Sequence, residues 1–185
     1  AESSRRPGTI QPTGVCRVVR APAPYSAESI REATRIAQAA AEAVGSLGIL
    51  AVEMFLTNDG RVLINELAPR PHNSGHYSIE GCYTSQFENA IRAALGWPLG
   101  DPGLRHQAAV MVNILAPCER EIDSTVIAPA LAHRAVHVHW YDKRMARVGR
   151  KIGHITAVGA VLAEVEARAQ SAVDGLEHTM QTGHE

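Results

Sequence analysis

Two glutamates, Glu53 and Glu66, stand out because their type and spacing suit metal binding or acid–base chemistry. They lie on two β-rich runs, residues 49–56 and 61–67, which are joined through Asn58-Asp59-Gly60, a strong hairpin-turn signal. If Asp59-Gly60 form a two-residue type I′ turn, Glu53 lies directly opposite Glu66 on one face of the hairpin. A turn at Asn58-Asp59 would change the register but would keep both glutamates on that face.

The predicted register also determines the other neighbours in the hairpin. It pairs Phe55 with Ile64 and Ala51 with Ala68. The opposite face carries apolar side chains, which belong to Leu50, Val52, Met54, Leu56, Leu63 and Leu67. We therefore expect this second face to pack in the core of the protein.

Facing carboxylates need a compensating partner. Like charges directly opposite each other destabilise a sheet, and their Cβ atoms are only ~5 Å apart. Mg²⁺ suits such a pair, because it takes one or two protein carboxylates and completes its octahedron with phosphate oxygens and water. The residues alone leave two interpretations open: a magnesium site, or a solvated face on which the glutamates tolerate one another.

A polar loop, residues 70–76, follows the second glutamate and reads Arg-Pro-His-Asn-Ser-Gly-His. Its guanidinium at Arg70 is suited to fork-like recognition of a planar oxyanion, with His72 and Asn73 orienting the ligand. Capping of Glu66 and of local backbone groups is an equally good interpretation of these side chains. Zinc binding by His72 and His76 would need a third ligand, which the spacing does not name.

Helices and strands around these residues must position them. Ser26 is a good N-cap for an alanine-rich amphipathic helix over residues 27–45, and Thr84 or Ser85 caps a second helix that runs to Gly96. We expect further strands at residues 15–20, 108–115, 135–141 and 152–158, and further helices at residues 124–133 and 162–176. Residues 1–14 carry no period and predict an irregular segment, and residues 177–185 predict a polar, frayed tail. The mixture of strand pairs and helices indicates the α+β class.

The composition excludes several classes of protein. The chain has 185 residues, of which 45% are hydrophobic and 20% charged, so it can bury a core and is not globally disordered. Its formal net charge of −1 predicts no nucleic-acid partner and no anionic membrane surface. No apolar run is long enough for a membrane span, and the first residues lack the apolar segment of a signal peptide. Three separated cysteines form no CxxC pair. We expect a soluble cytoplasmic protein.

Five stretches together form a specific pattern: AVEMF at residues 51–55, NELAPRPHNSGH at 65–76, TSQFE at 84–88, HWYDK at 139–143 and GRKIGHI at 149–155. In this order they resemble the N5-carboxyaminoimidazole ribonucleotide synthases, the ATPase-subunit type of phosphoribosylaminoimidazole carboxylase. The resemblance extends from about Gln11 to the last predicted helix. It implies an ATP-grasp ligase of purine biosynthesis that uses ATP and bicarbonate to form carboxyphosphate, which then carboxylates aminoimidazole ribonucleotide.

The resemblance also assigns roles to individual residues. Glu53 and Glu66 match the magnesium ligands, and Asn65 with Glu66 matches the stretch that contacts ATP. Residues around bicarbonate are matched by Arg70, His72 and Asn73. The basic groups near the ribonucleotide phosphate are matched by Lys143, Arg150 and Lys151.

The chain departs from the family pattern in its length. It lacks the N-terminal Rossmann-like domain and the Gly-rich lid of the family, and Val148 replaces the usual proline. We therefore expect the C-terminal half of an ATP-grasp domain at residues 15–100, followed by a small mixed α/β domain at residues 101–176, either as a homodimer or as a chain that lacks its N-terminal half. Two alternatives stay open: a related ligase such as formate-dependent glycinamide ribonucleotide transformylase, and a non-catalytic remnant or subunit that completes a site in trans.

Overall fold

The computed structural model describes residues 8–10 and 15–182 and has the expected α+β composition. Its strands are β1 (Gly8–Ile10), β2 (Val18–Ala21), β3 (Ala51–Leu56), β4 (Val62–Ala68), β5 (Ala108–Leu115), β6 (Arg120–Glu121), β7 (Val136–Trp140), β8 (Met145–Ala146) and β9 (Lys151–Gly159). Its helices are α1 (Ala27–Ala43), α2 (Ser78–Gly81), α3 (Gln86–Ala94), α4 (Ala128–Leu131) and α5 (Leu162–Thr182). Short 3₁₀ turns cover Asn73–Gly75 and Ser124–Ile127.

An antiparallel five-stranded sheet in the order β1-β2-β5-β9-β7 carries the core. Alternate residues of the central strand β5 face opposite sides, because successive side chains of a strand point to opposite faces. One face packs against α5, whose buried residues recur at helical spacing: Val165, Ala169, Ala172, Val173, Leu176 and Met180. The other face, with Ala109 and Met111, packs against Tyr77 and Cys82 in the segment that precedes α3.

The two ends of the chain differ from expectation. Residues 8–10 lie within the segment expected to be irregular, yet they form β1 and pair with β2. Helix α5 continues through Thr182, past the predicted end at Leu176. Tertiary contacts explain this extension, because Met180 is fully buried and Glu177 forms a two-pronged ion pair with Arg17 at 2.7 and 2.9 Å. Residues 1–7, 11–14 and 183–185 lie outside the described part.

The sheet contains strands from both sides of the predicted domain boundary near residue 101. Strand β2 precedes this boundary and pairs directly with β5, which follows it. The division into domains at residues 15–100 and 101–176 stays a prediction. Within the residues that the structure describes, no helix is long and apolar enough to cross a bilayer.

Strands β3 and β4 form a separate hairpin, whose register is partly as predicted. Glu53 is opposite Glu66 and Ala51 is opposite Ala68, as expected. The predicted pairing of Phe55 with Ile64 is wrong, because Phe55 is opposite Leu63.

Two irregularities explain this register. The turn has three residues rather than two: Thr57 N–H donates to Arg61 O at 2.9 Å, and Gly60 takes a positive φ of 82°. A β-bulge then makes Asn65 an extra residue in β4. The longer turn displaces the register by one residue, and the bulge restores it before the two glutamates.

The apolar face of the hairpin is less covered than expected. Helix α1 lies over it, but no residue of α1 is buried. Leu56 and Leu67 on this face keep more than a third of their surface exposed. Leu63 was predicted on this face, but it lies opposite Phe55 on the face of the glutamates, because the longer turn shifts it by one residue. A cleft of about 490 Å³ lies between α1 and the hairpin, and its lining includes Leu56, Glu53 and Asn65.

Candidate active site

The carboxylate pair lies at the bulge of the hairpin. Glu53 is well covered, with 17% of its side chain exposed, whereas 54% of the Glu66 side chain is exposed. Asn65, the bulged residue, donates from Nδ2 to Glu53 Oε2 at 3.4 Å. The bulge therefore brings an amide to the same side of the hairpin as the facing carboxylates.

His72 lies between the two glutamates. Its Nδ1 is 3.5 Å from Glu53 Oε1, and its Nε2 is 3.4 Å from Glu66 Oε1. One potential ligand atom from each of the three residues lies within 4.8 Å of the others, the one such group in the described part of the chain. Two carboxylates fit Mg²⁺, which prefers oxygen, while the imidazole could bind the carboxylates or a further ligand.

The loop around His72 is held by Gln86, the first residue of α3. Gln86 Oε1 accepts from His72 N–H at 3.0 Å, and Gln86 Nε2 donates to His72 O at 2.8 Å and to His76 Nδ1 at 2.9 Å. Ser78 Oγ donates to Gly75 O at 2.6 Å and accepts from Gln86 N–H at 3.0 Å. His76 thus belongs to the support of the loop and lies outside the group formed by Glu53, Glu66 and His72.

Asn73 connects the loop to the sheet. Its Nδ2 donates to Asn113 Oδ1 at 2.9 Å, and its Oδ1 accepts from Asn113 Nδ2 at 2.7 Å and from Lys151 Nζ at 3.1 Å. Lys143 Nζ donates to Lys151 O at 2.8 Å and lies 5.6 Å from the centre of the Tyr141 ring. Of the three predicted phosphate-binding residues, Lys151 therefore contacts the predicted bicarbonate loop directly, and Lys143 contacts the backbone of Lys151.

Arg70 and Arg150 are exposed, as Asn65 and Glu66 are, whereas the other predicted site residues are partly buried. Arg70 donates to the carbonyl oxygen of Pro71 at 3.1 Å, and Arg150 donates to that of Met145 at 3.3 Å. Neither guanidinium has an ion pair among the described residues.

Three imidazoles, of which His154 is buried and His76 and His139 are partly buried, lie beneath the loop. His154 stacks on His139 with ring centres 4.3 Å apart, and the ring centre of His76 lies 5.1 Å from that of His154. Burial, with nearby positive groups, lowers the pKa of His154 to about 3 and that of His76 to about 4. Both imidazoles are therefore neutral at physiological pH. Tyr141 Oη lies 2.9 Å from His154 Nδ1, and burial raises the pKa of this phenol.

Comparison with known proteins identifies the family. Residues 4–87 match the ATP-grasp domain, and residues 109–168 match the phosphoribosylaminoimidazole carboxylase C-terminal domain. The chain is 42% identical over 174 residues to the N5-carboxyaminoimidazole ribonucleotide synthase of Mycobacterium bovis. It is 41% identical over 165 residues to the chloroplastic phosphoribosylaminoimidazole carboxylase of Vigna aconitifolia. The chain belongs to the N5-carboxyaminoimidazole ribonucleotide synthase family.

The chain spans less than half the length of these relatives. The alignments cover 92% of it and 40% of the Mycobacterium protein, and 87% of it and 30% of the Vigna protein. The structure of the Aspergillus clavatus synthase in complex with ATP superposes with a TM-score of 0.81 at 34% identity, over 93% of this chain and 46% of that one. The same enzyme with ADP and 5-aminoimidazole ribonucleotide gives a TM-score of 0.79 over the same shares.

Within this N5-carboxyaminoimidazole ribonucleotide synthase family member, the structure brings together most of the residues that the sequence singled out. Glu53 and Glu66 both lie next to His72, and Asn65 donates to Glu53. Asn73 accepts from Lys151. Sequence reasoning missed Asn113 and Gln86, which hold the loop. Asn113 carried a usable signal, because it is an amide within the continuous apolar run of β5, and a buried polar residue is more informative than a buried apolar one.

Proposed function

We propose that this chain supplies the metal-binding and bicarbonate-binding side of an enzyme that converts 5-aminoimidazole ribonucleotide to N5-carboxyaminoimidazole ribonucleotide, with ATP, Mg²⁺ and bicarbonate as the other reactants. One observation carries the proposal. The loop at residues 70–76 joins the carboxylate pair to the basic end of β9, because His72 contacts Glu53 and Glu66 while the adjacent Asn73 accepts from Lys151.

Glu53 and Glu66 are the proposed magnesium ligands, and Asn65 with Glu66 would contact ATP. Bound Mg²⁺ would neutralise phosphate oxygens of the nucleotide and so favour phosphoryl transfer. The donor set fits this ion, because facing carboxylates otherwise repel each other and two oxygen ligands leave room for phosphate oxygens and water. The cleft between α1 and the hairpin reaches Glu53 and Asn65, and it offers the nucleotide a route to them.

Arg70, His72 and Asn73 would hold the bicarbonate. In the first step a bicarbonate oxygen attacks the γ-phosphorus of ATP, the bond to the bridging oxygen breaks and ADP leaves. In the second step the exocyclic amine attacks the carbonyl carbon of carboxyphosphate, the bond to the phosphate oxygen breaks, and the amine loses a proton. Both steps depend on orientation, which fixed donors on one loop provide at little entropic cost during the reaction.

Lys143, Arg150 and Lys151 would bind the phosphate of the ribonucleotide. The hydrogen bond from Lys151 to Asn73 places an ammonium next to the proposed bicarbonate site, so the acceptor amine and the carboxyl donor would bind on adjacent parts of one surface. The relatives' names, and the complex of one of them with ADP and 5-aminoimidazole ribonucleotide, support these substrates over formate and glycinamide ribonucleotide.

Calorimetric titration of the purified chain with Mg²⁺-ADP tests the proposal. We expect saturable binding that Glu66→Gln abolishes, because the neutral amide weakens the metal site without changing its shape. Glu164→Gln is the matched control, since Glu164 is an exposed glutamate on α5. Binding that survives Glu66→Gln, or a folded wild-type chain that binds no Mg²⁺-ADP, would contradict the assignment.

A further inference from the structure

Three polar residues form a row across the sheet beneath the loop. Asn113 on β5 pairs with His154 on β9, and His154 pairs with His139 on β7. Cross-strand partners share a face of the sheet. The row therefore lies on the face of Ala109 and Met111, which packs against the segment before α3.

Each residue of the row contacts one residue of the segment above it. Asn113 exchanges two hydrogen bonds with Asn73, and His154 packs against His76. His139 Nε2 lies 2.8 Å from Glu80 Oε1. The row thus meets the segment at three successive points, while Gln86 holds the same segment from the side of α3.

Asn113 makes the most specific of these contacts. Its side chain is fully buried in a strand that is otherwise apolar. Its Nδ2 donates to Cys16 O at 2.8 Å and to Asn73 Oδ1, and its Oδ1 accepts from Asn73 Nδ2. The two hydrogen bonds between Asn113 and Asn73 therefore fix the orientation of the two side-chain amides relative to each other. They use one N–H of Asn73, and Oδ1 of Asn73 also accepts from Lys151.

Close packing alone does not require an amide at this position, because Ala109 and Met111 pack the same face without polar atoms. The amide of Asn113 can be buried there because both of its polar atoms are hydrogen-bonded. An amide forms directional hydrogen bonds, which can orient a neighbouring side chain, whereas an apolar side chain cannot.

We propose that Asn113 is a positioning residue that orients the Asn73 amide towards bicarbonate and holds it in register with Lys151. This inference rests on the proposed function, because it presumes that Asn73 contacts bicarbonate. Asn113 itself does not touch the substrate. Its role is to fix the direction of the Asn73 N–H that is not bonded to Asn113. His154 and His139, the rest of the row, contact the segment at two further points.

The test is a bicarbonate titration of the ¹⁵N-labelled chain, followed through the side-chain amide resonances of Asn73. We expect a saturable shift in the wild type, and at least a tenfold weaker apparent affinity in Asn113→Leu. Affinity for Mg²⁺-ADP should change less than twofold, since Glu53 and Glu66 lie on the separate hairpin. Met111→Leu is the matched control, because it alters packing on the same face and should leave the bicarbonate response unchanged.

Asn113→Ala covers the possibility that the leucine variant fails to fold, because it removes the amide without adding bulk to the buried face. It loses the acceptor for Asn73 Nδ2 and both donors, so we expect the same weakened response in a chain without added packing strain. A folded Asn113→Leu chain whose bicarbonate affinity stays within twofold of wild type would overturn the inference. So would unfolding of both Asn113 variants while Met111→Leu folds, since Asn113 would then serve the fold alone. A wild-type chain that binds Mg²⁺-ADP but shows no bicarbonate response would refute the inference and leave the metal site standing; loss of both would refute the proposed function.

Discussion

The five-stranded sheet and the β3–β4 hairpin each support part of the candidate site, but they differ greatly in how much of their surface is buried. The sheet buries both of its faces, one under α5 and one under the segment before α3. The hairpin has Phe55 and Leu63 about half exposed on one face, and α1 covers the other without burying any of its own residues. The difference shows that the two halves of the candidate site rest on supports of unequal stability, because local stability follows the density of buried apolar contacts.

The candidate site lies where the two regions meet. Its carboxylates belong to the hairpin, whereas Asn73 and Lys151 are bonded to each other over the sheet. His72 is the link, since its backbone is held by Gln86 and its ring reaches Glu53 and Glu66. A loop anchored on the more tightly packed sheet region can therefore keep its orientation if the hairpin shifts, which would suit the proposed nucleotide site.

The largest expected effect contrasts one leucine from each region. Leu176→Ala removes a fully buried side chain from α5, and we expect it to lower the free energy of unfolding by about 2–5 kcal/mol. Leu63→Ala, on the half-exposed face of the hairpin, should cost less than about 1 kcal/mol. Urea unfolding of both variants measures the difference. Similar losses would mean that the hairpin is packed as tightly as the sheet.

The pH dependence of stability should come from the sheet region. His76 and His154 have folded-state pKa values of about 4 and 3, below the ordinary value of 6.5. Between pH 6.5 and 5.5 these two imidazoles bind protons in the unfolded chain but stay neutral in the folded chain. The free energy of unfolding therefore falls as the pH falls. The loss should be on the order of 2–3 kcal/mol over that interval for the two groups together.

Chemical denaturation at a series of pH values checks this slope. His154→Gln removes one of the two groups and should reduce the slope by about half. If the slope is the same in the variant, the imidazoles of His76 and His154 do not control acid stability. The sheet region would then not differ from the hairpin in the pH dependence of its stability.

The sequence predicted the carboxylate pair correctly, but for a reason that was only half right. The predicted two-residue turn is in fact Asn58-Asp59-Gly60, and the bulge at Asn65 compensates for the extra residue. No local signal marks Asn65 as a bulge, because it is neither a glycine nor next to one. With a three-residue turn, period-two alternation alone would place the two glutamates on opposite faces. The bulge at Asn65 is what returns them to one face, so the predicted pairing holds because two one-residue shifts cancel.

The row beneath the loop could not be predicted in the same way. Asn113, His139 and His154 lie on three strands whose spatial order, β5-β9-β7, differs from their order in the chain. Local sequence patterns predicted the strand that carries each of the three residues. They could not predict which strands pair, because pairing between distant strands depends on the packing of the whole sheet. The helices were the easier part, because Ser26 and Ser85 cap α1 and α3 as their sequence context predicts.

The smallest expected effect concerns the repulsion between Glu53 and Glu66. Without divalent cations, Glu66→Gln should raise the free energy of unfolding by a few tenths of a kcal/mol, about 0.2–0.5, because it removes one of two like charges that face each other across the strands. The gain is small because half of the Glu66 side chain is exposed and water screens its charge.

Urea midpoints measured with EDTA, for the wild type, Glu66→Gln and the control Glu164→Gln, can resolve this difference if the slopes are equal. Saturating Mg²⁺ should then reverse the order of wild type and Glu66→Gln, because an ion that binds only the folded wild type adds stability by mass action. If Glu66→Gln instead costs more than about 1 kcal/mol without cations, the contact from His72 outweighs the repulsion from Glu53. The contact between His72 and Glu66 would then stabilise the hairpin against the sheet region even without a metal. The stabilities of the hairpin and of the sheet region would be coupled, although little apolar surface is buried on the hairpin.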